Sequence, residues 1–301
     1  MISEKKEFRS NGKLLLSGEY LVLDGAQALA IPTKYGQSLK VESAVNNLNW
    51  KSYTNEGDLW LDIVFDNELN IIEASDVEAA KRLKDILYVA RLLNPAFVEE
   101  LKNKEVKTYL EFPGDWGLGS SSTLINNIAQ WANIDPFELQ QNSFPGSGYD
   151  IACAFNNTPI LYSIVERQPA FITQHFYPSF YDKIFFVHLN KKQNSRDAIK
   201  SYKEKTIDKS MIETVSEISQ KMAVADDVKD FKTLMAKHEN LLSEVLGIRT
   251  VKSELFPDFF GSVKSLGAWG GDFVMAVGEG VEEYFKNKGY KTVIPFEDMI
   301  L

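Results

Sequence analysis

The sequence is short of cysteine and histidine. Its 301 residues include one cysteine, Cys153, so no disulfide can form within the chain and a stapled secreted fold is not expected. A reducing, cytoplasmic location follows as the expectation. The three histidines, His175, His188 and His238, have no metal-ligand spacing and attract no chemistry. Long apolar runs are missing as well. Residues 14–16 and 21–23 are separated by Ser17, Gly18 and Glu19, far short of the roughly 20 residues that a membrane helix needs. The charged opening, Met1-Ile2-Ser3-Glu4-Lys5-Lys6-Glu7, predicts no signal peptide. Positive charge is in deficit: 33 Lys and Arg against 42 Asp and Glu give a formal net charge of −9. That balance argues against a general nucleic-acid binder, which neutralises phosphates with clustered cations. Any phosphate must be met by a local site. Neither a membrane nor a nucleic acid is expected as a partner.

What is present suits a large core. Hydrophobic residues make up 44% and aromatics 12%, enough for two domains at this length. Strand patterns cover residues 13–16, 38–42, 48–53 and 59–65, the last pair around a polar turn at 54–57. A helix is predicted from Ser75, where Ser75 and Glu78 fit a capping box, through Leu83, Ile86, Leu87, Ala90 and Leu93 to Pro95. Residues 105–111 return to strand, and a glycine–serine loop then leads into a helix with Leu124, Ile125, Ile128 and Trp131 on its apolar side. Asp135-Pro136-Phe137-Glu138 starts a further helix. After strands at 159–165 and 183–189, helices follow around 211–222 and 228–246. The chain closes with strands at 262–266 and 273–277, a short helix, and a strand at 291–295. A boundary between residues 166 and 182 divides an N-terminal domain, 1–170, from a C-terminal one, 171–301.

Three glycine loops carry the candidate chemistry. The first, Pro113-Gly114-Asp115-Trp116-Gly117-Leu118-Gly119-Ser120-Ser121-Ser122, combines an approachable backbone with a helix start, where exposed N–H groups and the helix dipole favour an anion. It suits a polyphosphate, while a plain turn with serine caps explains it equally well. No Gly-Lys-Ser/Thr follows, so it is not a Walker A loop. Asp135 stands where a dinucleotide fold places its ribose acid, yet it opens a helix rather than ending a strand. In the second loop, Gly146-Ser147-Gly148-Tyr149-Asp150, Asp150 is placed to act on a substrate hydroxyl or to cap the next helix. The third, Gly267-Ala268-Trp269-Gly270-Gly271-Asp272, lies between strands and reads alone as a hairpin turn. Upstream, Lys13 and Glu19 bracket an apolar segment, a pattern that an edge-strand lysine and a surface glutamate also produce.

Taken in order, these segments resemble the GHMP kinase superfamily. Gly12-Lys13 to Glu19-Tyr20, with Leu23-Asp24-Gly25, looks like its first motif. Pro113 to Thr123 resembles the Pro-x3-Gly-Leu-Gly-Ser-Ser motif, and Gly267 to Asp272 the C-terminal Gly-Ala-Gly-Gly-Gly motif. Gly148-Tyr149-Asp150-Ile151-Ala152 spells the name of the GYDIA-type subgroup, and the mevalonate and phosphomevalonate kinase branch has near counterparts of this string and of Lys264-Ser265-Leu266-Gly267-Ala268.

The resemblance implies an α+β, two-domain fold, with a mixed β/α N-terminal domain and a ferredoxin-like C-terminal α/β sandwich. It implies an ATP- and Mg²⁺-dependent small-molecule kinase with a mevalonate- or phosphomevalonate-like acceptor. By position, Gly114, Trp116, Gly117, Leu118, Gly119, Ser120, Ser121 and Ser122, with Gly267, Trp269 and Gly270, would meet ATP. Ser121 would also bind Mg²⁺. Asp150 would take the acceptor's proton with Lys13 beside it, and Glu19, Ser147, Gly148, Lys192, Ser195 and Arg196 would face the acceptor.

Two departures stand out. Trp269 replaces a glycine, which would bring a large ring near the pocket. The family's metal-binding Glu position is Leu139; Glu138 is adjacent, but one residue along a helix turns a side chain by about 100°. These departures motivate the rival reading, a nucleotide- or metabolite-binding protein without efficient catalysis. Oligomeric state stays open, a homodimer being one option.

Overall fold

The computed structural model describes residues 5–191, 200, 202–267 and 269–301. The chain forms two compact units. One comprises Met1–Gly12, Tyr35–Gly114 and Leu118–Phe155, the other Lys13–Lys34, Asp115–Gly117 and Asn156–Leu301. Strands β1 (Lys6–Leu15) and β2 (Ala28–Ser43) contribute residues to both.

In the first unit the sheet runs β5-β4-β3-β6-β2, from β3 (Leu48–Tyr53), β4 (Leu59–Phe65), β5 (Ile71–Ala74), β6 (Lys104–Leu110) and the later half of β2. Its pairs are antiparallel except β3 with β6, which are parallel. A parallel neighbour needs a crossover, and the chain supplies it through β4, β5, α1 (Val77–Leu93) and the short α2 (Phe97–Leu101). Alternate residues of β3, Leu48, Trp50 and Ser52, are buried, as a sheet with one covered face requires. Trp50 and Phe65 pack in one core with Leu83 and Leu87 of α1, Ile125 and Ile128 of α3 (Ser120–Ala132), and Leu139 of α4 (Pro136–Ser143).

The expected cap of α1 is corrected. Asp76 is its N-cap, its Oδ1 accepting from Ala79 N at 3.0 Å, while Ser75 Oγ accepts from Asp62 N at 2.9 Å. An aspartate one residue closer to the first turn outcompetes the serine, which serves the neighbouring strand.

The second unit contains a four-stranded antiparallel sheet ordered β10-β11-β9-β12, with β9 at Ile184–His188, β10 at Ser262–Ser265, β11 at Phe273–Val277 and β12 at Val293–Pro295. Between β9 and β10 lie helices α6 (Lys209–Val224), α7 (Val228–Leu246) and α8 (Val251–Leu255), and α9 (Val281–Asn287) joins β11 to β12. Sequence order βαββαβ with spatial order fourth, first, third, second from the outer end is the ferredoxin-like arrangement. All five residues of β11 are buried, as an inner strand demands. The start of β2 pairs with β7 (Ile160–Val165), which pairs with β8 (Gln168–Thr173). No described helix is long and apolar enough to cross a membrane.

Because Trp50 is fully buried, Trp50→Ala is expected to destabilise the first unit by about 3–5 kcal/mol, seen as an earlier urea transition in circular dichroism.

Candidate phosphate loop and its surroundings

In the first unit the glycine–serine loop ends in α3. The N-cap is Gly119 in left-handed conformation, φ 90°, and no side chain caps the helix. The serines are inside the first turn: Ser122 Oγ donates to Gly119 O at 2.8 Å, and Ser121 is exposed. A serine-capped turn is thus not what forms, and the first N–H groups and the positive helix end remain for an anion. Leu118, fully buried, anchors the loop.

A buried polar network holds α3 in place. Ser10 Oγ donates to Asn127 Oδ1 at 2.7 Å and accepts from Asn126 Nδ2 at 2.8 Å. Asn127 Nδ2 donates to Gln37 O at 2.9 Å, and Thr123 Oγ1 to Gln37 Oε1 at 2.8 Å. Paired buried amides fix one register where apolar packing tolerates several.

Asp150 lies in the first turn of α5 (Tyr149–Phe155), half-buried, its Oδ1 accepting from Ile151 N at 3.1 Å and from Gln140 Nε2 at 3.3 Å. Gly148 precedes it at φ 89°, with Ser147 half-buried. Glu138 is exposed on α4, whose N-cap Asp135 accepts from Phe137 N at 2.7 Å; Asp135 is a cap, as its place before Pro136 suggests. Leu139 is fully buried in the core, so that position offers nothing to a metal.

In the second unit, Lys13 Nζ donates to Gly117 O at 2.8 Å. Trp116 stands edge-on to Phe273, ring centroids 5.4 Å apart, and 6.3 Å from the His188 ring, so β9 and β11 support this part of the loop. Gly114 is exposed just before it. Gly267 and Gly270 take left-handed φ of 63° and 88° in the connection from β10 to β11. Lys192, Ser195 and Arg196 lie outside the described residues.

Two expectations are corrected. Trp269 does not border an open pocket: it is 3% exposed and packs with Tyr20, Leu21, Tyr202 and Leu242. Burying the indole removes a large apolar area from water, and its backbone N donates to the Tyr20 hydroxyl at 3.1 Å. Glu19 does not reach solvent either. It is 1% exposed, with Oε1 2.6 Å from the ammonium of fully buried Lys264.

No family model and no curated protein matches the sequence. Solved structures do match. Methanococcus jannaschii mevalonate kinase superposes with a TM-score of 0.70 at 14% identity, covering 97% of each chain. Streptococcus pneumoniae phosphomevalonate kinase, in complex with phosphomevalonate and AMPPNP, gives 0.69 at 16% identity over 96% of this chain and 99% of that one. Lactococcus lactis galactokinase, complexed with galactose, gives 0.65 at 13% over 97% and 93%. The chain has the GHMP kinase fold.

Within the second unit of this GHMP kinase fold, Glu19 and Lys264 belong to a buried cluster that local sequence reading missed. Gly18 N donates to His238 Nε2 at 2.8 Å, and Glu19 Oε2 lies 3.3 Å from the same nitrogen. Glu239, 3% exposed, accepts from Ser265 N at 2.9 Å through Oε1. Burial pushes the Glu19 carboxyl up against the pull of Lys264, and burial with the Lys264 charge drives the His238 imidazole well down. Burial raises Glu239 to about 8.

Folding therefore takes up a proton at Glu239 between its ordinary value near 4.5 and about 8. The stability it contributes is complete at low pH and is lost as pH rises through 8. Glu239→Gln keeps the acceptor for Ser265 N and removes this titration. Between pH 5 and 9 the wild type is expected to lose stability relative to the variant, on the order of 3 kcal/mol, read from urea midpoints at pH 5, 7 and 9. Parallel curves would disprove the assignment.

Proposed function

We propose that this chain is an ATP-dependent small-molecule kinase that transfers the γ-phosphate to a hydroxyl or phosphate acceptor, of mevalonate- or phosphomevalonate-like chemistry. The observation that carries the reading is the uncapped N-terminus of α3 behind a glycine loop, on a fold whose solved examples include a complex with AMPPNP. Phosphoryl transfer asks mainly for positioning and charge neutralisation. The first-turn N–H groups of α3 meet the phosphates, and the loop from Gly117 to Ser122 wraps them. Lys13 holds the Gly117 carbonyl turned toward itself, which fixes the loop's backbone. Asp150, steadied by Gln140 and the Ile151 amide, accepts the proton of the attacking hydroxyl.

Mg²⁺ fits this site in a limited way. Among the described residues no three His, Cys, Asp or Glu gather as a protein-only cage. Magnesium is commonly held by one or two carboxylates, waters and the substrate phosphates, so a cage is not required. The exposed Ser121 hydroxyl would hold it together with the nucleotide. When bound, the ion neutralises phosphate charge.

The rival, a binding protein that has lost efficient catalysis, is favoured by one observation, the burial of Leu139 where a metal carboxylate is expected. An ADP-release screen over mevalonate, phosphomevalonate, homoserine and sugars separates the two, since tight ATP binding without acceptor-stimulated turnover supports the rival.

With the best acceptor, Asp150→Asn is expected to lower kcat by about 10²- to 10⁴-fold with nucleotide affinity retained, and Lys13→Met to reduce turnover sharply. Near wild-type turnover by the Asp150 variant would refute the mechanism.

A further inference from the structure

A cleft of about 360 Å³ opens on the second unit between α7, α8 and β10. Ala236 and Asn240 of α7, with Ser253 and Pro257, form its exposed rim. Deeper in its wall are the buried residues Glu239 and Val263 and the half-buried Lys252. The volume is at the small end of the range for ligand sites, and a mostly apolar wall with a few convergent polar groups is the composition such sites have.

Lys252 is the unusual member. Its Nζ donates to Phe259 O and to Gly261 O, both at 2.6 Å, and stands 5.5 Å from the centre of the Phe259 ring. The loop that offers these carbonyls is folded tightly, since a Cβ at Gly261 would lie 2.4 Å from the Phe259 ring. An ammonium has three donors, so one N–H remains after the two carbonyls. Lys252 makes no ion pair with any described residue. Asp258 is near in sequence but is engaged by Lys288 at 2.9 Å and by the Tyr284 hydroxyl at 2.7 Å. Burial accordingly pushes the Lys252 ammonium down, by more than Asp258 raises it. A cation held in place with a spare donor and no counter-charge attracts an anion.

The other groups of the wall agree. Glu239 Oε1 accepts from Ser265 N at 2.9 Å, while Oε2 has no hydrogen-bond partner among the described residues. With this carboxyl raised to about 8, Oε2 carries the proton at neutral pH and brings a donor rather than a negative charge. Asn240 and Ser262 add an amide and a hydroxyl, and Ala236, Pro257 and Val263 offer apolar surface to a hydrocarbon body. One lysine balances one negative charge, whereas a polyphosphate would bring charge that the cleft cannot neutralise.

We infer that this cleft is a ligand site for a small aliphatic monocarboxylate, whose carboxylate meets Lys252 and whose alkyl body lies against Ala236, Pro257 and Val263. Its residues are not those of the candidate phosphate loop, and the inference does not depend on the nucleotide reading.

The test is calorimetric titration of the whole protein at pH 6, where Glu239 is neutral, with valerate, inorganic phosphate and butylammonium in turn. Valerate should bind saturably at one site, and the other two at least about tenfold more weakly. Lys252→Gln leaves an N–H donor for the loop carbonyls and removes the charge, and should weaken valerate at least about tenfold. Because that change also touches the loop, Ala236→Phe is the second variant: it fills the cleft from an exposed helix position, and should abolish valerate binding with an unchanged melting temperature. Valerate affinity unchanged in either variant overturns the site. Phosphate or butylammonium binding as tightly as valerate also overturns it, the first by making the apolar wall irrelevant and the second by making the cation irrelevant. If wild type does not bind valerate, the inference fails outright.

Discussion

The ion pair between Glu19 and Lys264, removed from water on both sides, is the constraint around which the second unit is arranged. Taking two charges into a core is expensive, and the attraction between them returns little more than it costs; such a pair is poor evidence for stability. Its effect is on geometry. Lys264 also donates to Ser265 O at 2.9 Å, and Glu239 holds the Ser265 amide, so the end of β10 is fixed from two directions just before the Gly267 turn. On the other side, His238 takes the Gly18 amide and fixes the turn that follows the Lys13 strand. The cluster thus sets both the segment after Lys13 and the connection that ends at Asp272. An apolar replacement of equal volume would fill the space without choosing these backbone directions.

Much of the architecture was legible because it depends on local periodicity. The strands at Leu48–Tyr53, Leu59–Phe65 and Phe273–Val277 and the helix at Val228–Leu246 fall where alternation or 3.6-residue spacing puts them. The cap of α1 slipped by one residue because Ser75 and Asp76 are both good caps, and the choice is made by the demand of Asp62 N on the serine. Only residues 38–42 of the 16-residue β2 were expected as strand; Gly36 within it is needed because a Cβ there would lie 2.3 Å from Ser10 O.

The site was legible to a smaller degree, for a related reason. Glu19 and Lys264 are 245 residues apart, and nothing near either one announces the other. A glutamate after an apolar run reads as exposed, and only its distant partner makes burial tolerable. Asn126 and Asn127 drew no expectation at all, yet both are buried and engaged with Ser10 and Gln37. Trp269 misled in the opposite sense: a bulky residue in a glycine-rich loop suggests a ring beside a pocket, but the indole is buried in the apolar cluster around Tyr20 and Leu242.

The same division explains how the fold can match solved kinases at 14–16% identity while no sequence model matches. A core such as that around Trp50 asks for apolar volume and periodicity, which many sequences satisfy. Backbone positions are less forgiving. Gly18 has φ 86°, and a Cβ there would lie 2.5 Å from Ala28 Cβ, so any side chain would push the strand pair apart and pull the Gly18 amide from His238. Gly117 is constrained in the same way by the Asp272 carboxyl. These demands fall on single residues in short segments, and they are what a motif records. The motifs are therefore readable by eye in a chain whose overall sequence has little else to compare, because the physical requirements that keep them are local while those that keep the core are collective.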